Sequence, residues 1–267
     1  MKDTFVLFIF CGLMASFGCD NPKSPAVVTN VAIDGEYSLQ SLSSDVPPVP
    51  DLARYPDLDP LKITIDQVGL KSFMSEDSLN EVLTDMYTYF HSSNIADWDN
   101  NFLHFPNHRN QDTASLTGMR DMMEKWYHDG LRNRAGAAHI RYASPWIDEH
   151  DQKVAVIGMD LTYYLDFFEN FEGNPEGMRF SLERTWGADA VHWNEFDQVE
   201  QGDSMHIRQF EVNARTAMYV LAPKADSMLF TFLPPTITAA PALAADMMNN
   251  ETLLALNRHK REHFDKP

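Results

Sequence analysis

Two residues with acid–base potential, Asp160 and Tyr164, lie four positions apart in residues 153–165, a segment that alternates like a strand. In a strand both side chains project from one face, opposite Met159 and Leu161. A carboxylate base and a phenolic donor that face one apolar cavity can transfer a proton, because burial moves their pKa values apart. If this face lines a cavity, Asp160 is the predicted base and Tyr164 the donor. If it faces water, both belong to an ordinary polar strand face.

Metal binding by histidine is a second possibility, which the spacing does not support. Three histidines fall on three different predicted strands: His139, His192 and His206. They have no local HxH or HExxH pairing, so independent surface or hydrogen-bonded histidines are favoured. His259, Glu262 and His263 spell the HxxEH motif of inverted zinc proteases, and a chance match in a basic helix end is the favoured interpretation. We predict no metal and no cofactor.

Aromatic side chains form the third candidate group: Trp98, Phe102, Trp126, Tyr127, Tyr163, Phe180 and Trp186. Large rings at helix and strand positions are usually core residues. The functional alternative is an apolar pocket, edged by Arg179 and Glu183, that holds a small apolar or aromatic ligand. The predicted lining of this pocket is Trp98, Phe102, Met122, Trp126, Tyr163, Arg179 and Glu183.

The first half of the domain is predicted to be helical. Six apolar residues lie on one helical stripe: Leu79, Val82, Leu83, Met86, Tyr87 and Phe90. Such a stripe must be covered by a sheet or by another helix. Ser78 and Glu81 have capping-box spacing, so we expect this helix to begin near Ser78 and to end at the polar residues 91–94. A shorter helix over 95–102 and a helix over 117–130 are expected to follow.

From residue 138 the apolar period changes to two, which indicates strands. The predicted strands cover residues 138–142, 153–165, 178–186, 191–196 and 205–221, and the first two should form an antiparallel hairpin. A last strand or arm is expected at 228–233 and a final helix at 242–264. Helices followed by a meander of strands predict an α+β fold, with N-terminal helices packed on the concave face of a curved antiparallel sheet.

The order of these elements resembles the ketosteroid-isomerase-like α+β cone, the superfamily that also includes nuclear transport factor two and polyketide-cyclase-type enzymes. The resemblance rests on the opening helix that ends in Tyr89-Phe90, the segment Asn94-Ile95-Ala96-Asp97-Trp98, the helix over 117–130 and the strands from 138 to 221. It covers about residues 75–222 and implies a curved sheet that wraps around the helices to leave a conical pocket. In some members that pocket is catalytic, and in many it is a binding or dimerisation scaffold, so the resemblance identifies no reaction.

Composition favours a globular domain and argues against nucleic-acid partners. A chain of 267 residues with 44% hydrophobic and 12% aromatic residues can form a full core. Asp and Glu number 39 against 21 Lys and Arg, and the net charge of −18 repels nucleic acid and anionic membrane surfaces. Neither a GxSxG elbow nor a glycine-rich phosphate loop is present in the sequence.

The two cysteines, Cys11 and Cys19, belong to a predicted N-terminal targeting signal. Residues 5–18 form an apolar run of fourteen residues, which suits a signal peptide and is shorter than the roughly twenty residues that span a bilayer. Ser16 and Gly18 precede Cys19 in a pattern that resembles a bacterial lipobox. The resemblance implies that Cys19 is lipidated and anchors the protein to a membrane of the cell envelope. Secretion after cleavage at a small residue is the alternative.

We therefore divide the chain into a lipoprotein-type signal peptide (1–18), a Pro- and Ser-rich tether and arm (19–74), a cone domain (75–222) and a C-terminal arm and helix (223–267). The leading hypothesis is a non-catalytic, lipid-anchored bacterial envelope protein whose cone domain binds a small apolar ligand or a protein partner. One alternative is an isomerase or cyclase-like enzyme that uses the acid–base pair. The other is a structural module that forms a homodimer through the outer sheet face.

Overall fold

The computed structural model describes residues 58, 61–66, 68–105, 113–150, 152–200, 203–223, 229–233 and 248–265. The predicted signal peptide, Cys19 and the tether up to residue 57 lie outside the described residues. Within the described part, helices pack on a strongly curled, half-barrel sheet. The predicted α+β class is confirmed.

One sheet forms the centre of the described part of the chain. Its strands are β1 (Lys62–Ile65), β2 (Lys71–Ser72), β3 (Leu131–Ala143), β4 (Ile147–Glu149), β5 (Gln152–Phe167), β6 (Val191–Glu200), β7 (Asp203–Pro223) and β8 (Thr231–Leu233). The main path runs β1-β3-β5-β7-β6, and the short strands β2, β4 and β8 pair with β3, β5 and β7. From β3 to β6 this path is antiparallel, as predicted, whereas β1 and β2 run parallel to β3. The arm before residue 75 therefore contributes strands to the sheet.

Helices cover both faces of this sheet. They are α1 (Glu76–Asn94), α2 (Trp98–Leu103), α3 (Thr113–His128), α4 (Pro175–Trp186) and α5 (Asn250–His263), and a short 3-10 turn, Ala188–Ala190, follows α4. Helix α1 begins at Glu76 rather than near Ser78, because Ser75 is the N-cap and its hydroxyl accepts the Ser78 N–H at 3.3 Å. The predicted capping box at Ser78 is wrong.

Helix α1 also continues through the polar residues that were expected to end it. Asn94, its last residue, is fully buried against the free edge of β3. Its side-chain amide donates to the Ala135 carbonyl and its side-chain oxygen accepts the Ala135 N–H, both at 2.8 Å. These two bonds satisfy backbone groups that the start of β1 leaves unpaired, so they fix the end of α1 to the sheet.

Helix α4 replaces the strand that was predicted over 178–186. Met178 and Leu182 are buried one helical turn apart, whereas Phe180 between them is 69% exposed. The helix begins with the Asn174 side chain, which accepts a backbone N–H of the first turn, and with Pro175 at the first helical position. The alternation of apolar and polar residues in this segment wrongly predicted a strand. The helix cap and the i, i+4 spacing of the buried residues favour a helix instead.

The inner face of the sheet, which carries Ile157, Met159 and Leu161, holds the main core with α1, α2 and α3. Four residues of the predicted α1 stripe are at most 4% exposed: Leu79, Val82, Met86 and Phe90. Tyr87 was predicted to belong to that stripe, but it is 44% exposed. Tyr89 is buried instead. The prediction that α1 packs its apolar side on the sheet is confirmed.

The opposite, outer face is partly covered by α5. Leu256 is fully buried there, and Phe264, directly after the helix, packs over Gly158. A Cβ atom at Gly158 would lie 2.7 Å from that ring, so this close approach requires glycine. The Tyr219 hydroxyl donates to the Asn257 side chain at 2.6 Å. The chain's own helix thus occupies part of the surface that a homodimer was expected to use.

The other predicted elements are confirmed in type and wrong at their ends. The strands expected at 138–142, 153–165 and 191–196 lie within the longer β3, β5 and β6, and residues 205–221 belong to the single strand β7. Strand β8 lies within the expected 228–233. Helix α2 ends one residue after the expected end of its helix, and α3 begins four residues earlier than expected. The expected helix at 242–264 contains α5, and its residues 242–247 lie outside the described part.

Candidate functional site

Asp160 and Tyr164 project from the outer face of β5, opposite the face on which α1 packs. The Asp160 carboxylate accepts a hydrogen bond from Nε of Arg141 at 2.6 Å and is 39% exposed. The Tyr164 ring lies 4.9 Å from the guanidinium carbon of Arg134, and burial raises the pKa of its hydroxyl. Four residues of strand separate the two side chains by about 13 Å, and each is engaged by a different arginine. The structure does not assemble them as an acid–base pair.

Asp160 belongs instead to a charged network that joins three strands of the outer face. Arg141 pairs with Asp66 as well as with Asp160. His139 lies next to Asp66, with 3.9 Å between Nε2 and the carboxylate, and its Nδ1 is 2.8 Å from the Thr64 hydroxyl. This network ties β1 and the turn that follows it to β3 and β5.

The predicted pocket residues fall into two adjoining cores of the inner face. Trp98, Phe102 and Met122 belong to the core beneath α1, α2 and α3. Trp126 and Tyr163 belong to the core beneath α4. The predicted lining is therefore divided between the two cores, which meet where Ala135 lies opposite Tyr163.

Arg179 and Glu183, the predicted polar edge of the pocket, lie on α4. The Arg179 guanidinium pairs with Glu176 at 3.1 Å and lies 5.6 Å from the centre of the Phe210 ring. Glu183 is partly buried, and its backbone carbonyl accepts the Gly187 N–H that ends the helix. Arg179 thus contributes to the packing of α4 on the sheet, and Glu183 to the end of that helix.

The junction between the cores is built around Tyr163. The register of β3 and β5 places Ala135 opposite Tyr163 and Asn133 opposite Leu165. Asn133 and Tyr163 are therefore diagonal neighbours on the inner face. The Trp186 ring, at the end of α4, meets the Tyr163 ring edge-on with 6.1 Å between centres and 67° between planes. Strand pairing thus places Asn133 beside Tyr163, and the end of α4 places Trp186 beside it.

The buried acceptor Asn133 Oδ1 has no hydrogen-bond partner. Burial raises the pKa of the Tyr163 hydroxyl, and its hydrogen bond with the Trp186 side chain partly offsets that effect. Each unpaired buried group costs about 1–3 kcal/mol. We call Trp126, Asn133, Tyr163 and Trp186 the Trp186 site.

The chemistry of the Trp186 site suits recognition rather than proton transfer. A donor and an acceptor beside aromatic rings can orient a hydroxyl or amide group on an otherwise apolar molecule. None of the four side chains ionises near neutral pH, since burial moves the pKa of Tyr163 further above that range. The site therefore offers hydrogen bonds and apolar surface without a general base.

The histidines of the strands lie apart from this site. His206 is bonded to Asp197 at 2.7 Å, and His259 of α5 is bonded to the Tyr142 hydroxyl at 2.5 Å. Burial, more than the nearby His263, lowers the pKa of His259. In the part of the chain that the structure describes, no group of three His, Cys, Asp or Glu side chains could hold a metal ion.

Comparison of the chain with protein-family models, with curated proteins and with solved structures finds no match. Among the described residues, no helix combines the length and the apolar character needed to cross a membrane. The case for a function therefore depends on the geometry of the site itself.

Asn133 was missed by sequence reasoning, and Trp186 was among the candidate aromatic residues but was left out of the predicted pocket lining. The predicted strand began at residue 138, five positions after Asn133, and Trp186 was assigned to a strand rather than to the end of a helix. The available signals were the alternation of Leu131, Asn133 and Ala135, and the helix cap at Asn174.

Proposed function

We propose that the protein binds a small, largely apolar ligand at the Trp186 site, without transforming it. The ligand carries a hydroxyl or amide group that donates to Asn133 Oδ1 and accepts from Trp186 Nε1. The observation that supports this proposal is the buried, unpartnered acceptor Asn133 Oδ1, diagonal on the sheet to Tyr163, whose ring contacts the Trp186 ring. The curled sheet with its inner helices is compatible with a cone-like domain, in which this wall lies inside the cone.

A binding role fits the outer-face charges better than catalysis by the predicted acid–base pair. Proton transfer needs a carboxylate and a donor that face the ligand's cavity. Asp160 is paired with Arg141 on the outer face, and Tyr164 faces the Arg134 guanidinium rather than an inner ligand. These contacts favour the binding hypothesis over the isomerase or cyclase alternative.

A direct test is calorimetric titration with 2-naphthol, a neutral aromatic alcohol. Replacing Trp186 by phenylalanine removes the N–H donor and keeps an aromatic ring, so we expect roughly three- to tenfold weaker binding. Trp193→Phe is the matched control, because its indole N–H is already bonded to Glu195 at 2.8 Å and belongs to the same core. The control should bind 2-naphthol as the parent does.

Naphthalene provides the second arm of this titration, because it has the same rings without the hydroxyl. We expect the parent to bind naphthalene more weakly than it binds 2-naphthol. In Trp186→Phe the difference between the two affinities should be smaller. Equal affinities of the parent and Trp186→Phe for 2-naphthol, or no binding up to its solubility limit, contradict the proposed site.

We further propose that this domain is held at a bacterial envelope membrane by lipid on Cys19. The proposal is supported by the apolar run of residues 5–18 and by the small residues before the cysteine. Cells that express the parent should incorporate labelled palmitate into the protein, and Cys19→Ala should abolish this incorporation. A Cys19→Ala variant that is labelled as strongly as the parent refutes the anchor and favours simple secretion.

A further inference from the structure

A second feature of the molecule is a cluster of buried charges at the start of β3. Arg132, Arg134 and Asp166 are 2%, 2% and 0% exposed. The register places Arg132 opposite Asp166 and Arg134 opposite Tyr164, so these side chains start from the outer face, opposite the Trp186 site. We call Arg132 and Arg134 the arginine pair. Among these three buried residues, two guanidinium groups and one carboxylate leave one excess positive charge, and the carboxylate of Glu211, opposite Tyr164 on the same face, is only partly buried.

The single carboxylate is already used by one member of the pair. Arg134 donates to Asp166 from Nε and Nη2, the second bond measuring 3.2 Å. Gln209 of β7 also donates to Asp166, at 2.7 Å. Asp166 therefore neutralises Arg134, and its oxygens make no hydrogen bond to Arg132.

Arg132 has an aromatic contact in place of an anion. Its guanidinium carbon lies 3.9 Å from the centre of the Tyr127 ring, at the end of α3. Its Nε and Nη1 are buried without a hydrogen-bond partner, and so is Nη1 of Arg134. Burial lowers the pKa of Arg132, and its contact with the Tyr127 side chain, which includes a hydrogen bond, and then the attraction of Asp166 partly offset that effect. The Tyr127 contact leaves Nε and Nη1 without an acceptor, and in-plane N–H donors need an acceptor oxygen.

An unpaired buried guanidinium is costly, and an apolar side chain of similar size would stabilise this position better. The free donors and the excess charge are both explained by a missing anion. We propose that the arginine pair binds a small monoanion, a carboxylate, which accepts hydrogen bonds from Nε of Arg132 and from Nη1 of Arg134. Planar carboxylates suit the guanidinium geometry, and a single negative charge balances the cluster. This site is separate from the one proposed above, and neither depends on the other.

Thermal unfolding of the full chain in sodium acetate tests this inference. The ionic strength is held constant with sodium fluoride, and each sample is refolded in its salt so that the anion can reach the closed site. A ligand that binds the folded state raises the unfolding temperature progressively as its concentration exceeds its dissociation constant. We expect acetate to raise the unfolding temperature of the parent, and phosphate at the same ionic strength to raise it less.

Arg132→Met is the informative variant, because methionine fills the space without the charge. Acetate should no longer raise the unfolding temperature of this variant. In fluoride alone the variant should unfold at a temperature no lower than that of the parent. Arg141→Met is the control, since that arginine is 39% exposed and already pairs with two carboxylates, and it should retain the rise. A purely structural Arg132 would predict the opposite pattern, with a lower unfolding temperature in Arg132→Met and no acetate effect in the parent.

Nitrogen-15 spectra of arginine-labelled parent protein provide a readout that does not depend on the variant. Acetate should shift the Nε–H signal of a buried arginine, and that signal should be absent from Arg132→Met or, if this variant fails to fold, from Arg132→Lys. No acetate effect on the parent, equal effects on the parent and Arg132→Met, or a stronger effect of phosphate each overturn the inference.

Discussion

Asp166→Asn is expected to destabilise the protein by about 3–5 kcal/mol, the largest effect of any single change considered for this fold. Asparagine keeps the shape of the side chain and removes its charge, so the buried arginine pair is left without its carboxylate. Chemical denaturation of the parent and the variant measures the difference in the free energy of unfolding.

The control for this prediction is Asp160→Asn, on the same strand and the same face. Asp160 is 39% exposed, so the loss of its ion pair with Arg141 should cost less than about 1 kcal/mol. Acetate should also stabilise Asp166→Asn more than the parent, because the excess charge at the arginine pair then rises to two. Equal stabilities of Asp166→Asn and Asp160→Asn would contradict the account of the buried cluster.

Met86→Ala should cost about 2–5 kcal/mol, because it opens a cavity beneath α1. Met86 is fully buried among the inner-face residues of the sheet, so little of the space can be refilled. The measurement is again the free energy of unfolding from chemical denaturation.

The neighbouring residue provides the control for the second prediction. Tyr87 is 44% exposed and stacks on His91, with 5.5 Å between ring centres. Tyr87→Ala should therefore change the free energy of unfolding by less than about 1 kcal/mol. A larger cost for Tyr87→Ala than for Met86→Ala would mean that α1 presents its other side to the sheet.

The sequence predicted the helices and strands whose pattern is long and strongly periodic. The stripe on α1 and the alternation along β5 were sufficient, since one face of each is buried along its length. The same reasoning failed at α4, where Met178 and Leu182 pack one turn apart in a segment that also reads as alternating. A short helix of that kind is decided by its cap and by the surface it covers.

The candidate site was predictable in part. Trp126 and Tyr163 were expected to line a pocket, and they lie in one core of the inner face. Asn133 and Trp186 come next to Tyr163 through the register of β3 and β5 and through the end of α4, which sequence periodicity does not specify. The arginine pair was not predicted for the same reason, because the pairing of β3 with β5 brings Asp166 to it.

The most direct measurement of the central claim is the indole N–H spectrum of the nitrogen-15-labelled protein during titration with 2-naphthol. Five tryptophans give five indole signals, which single Trp→Phe variants assign. We predict that the Trp186 signal moves with the saturation of binding and that the Trp193 signal, whose N–H is bonded to Glu195, stays in place. A Trp186 signal that remains unchanged at saturation would contradict the proposed site.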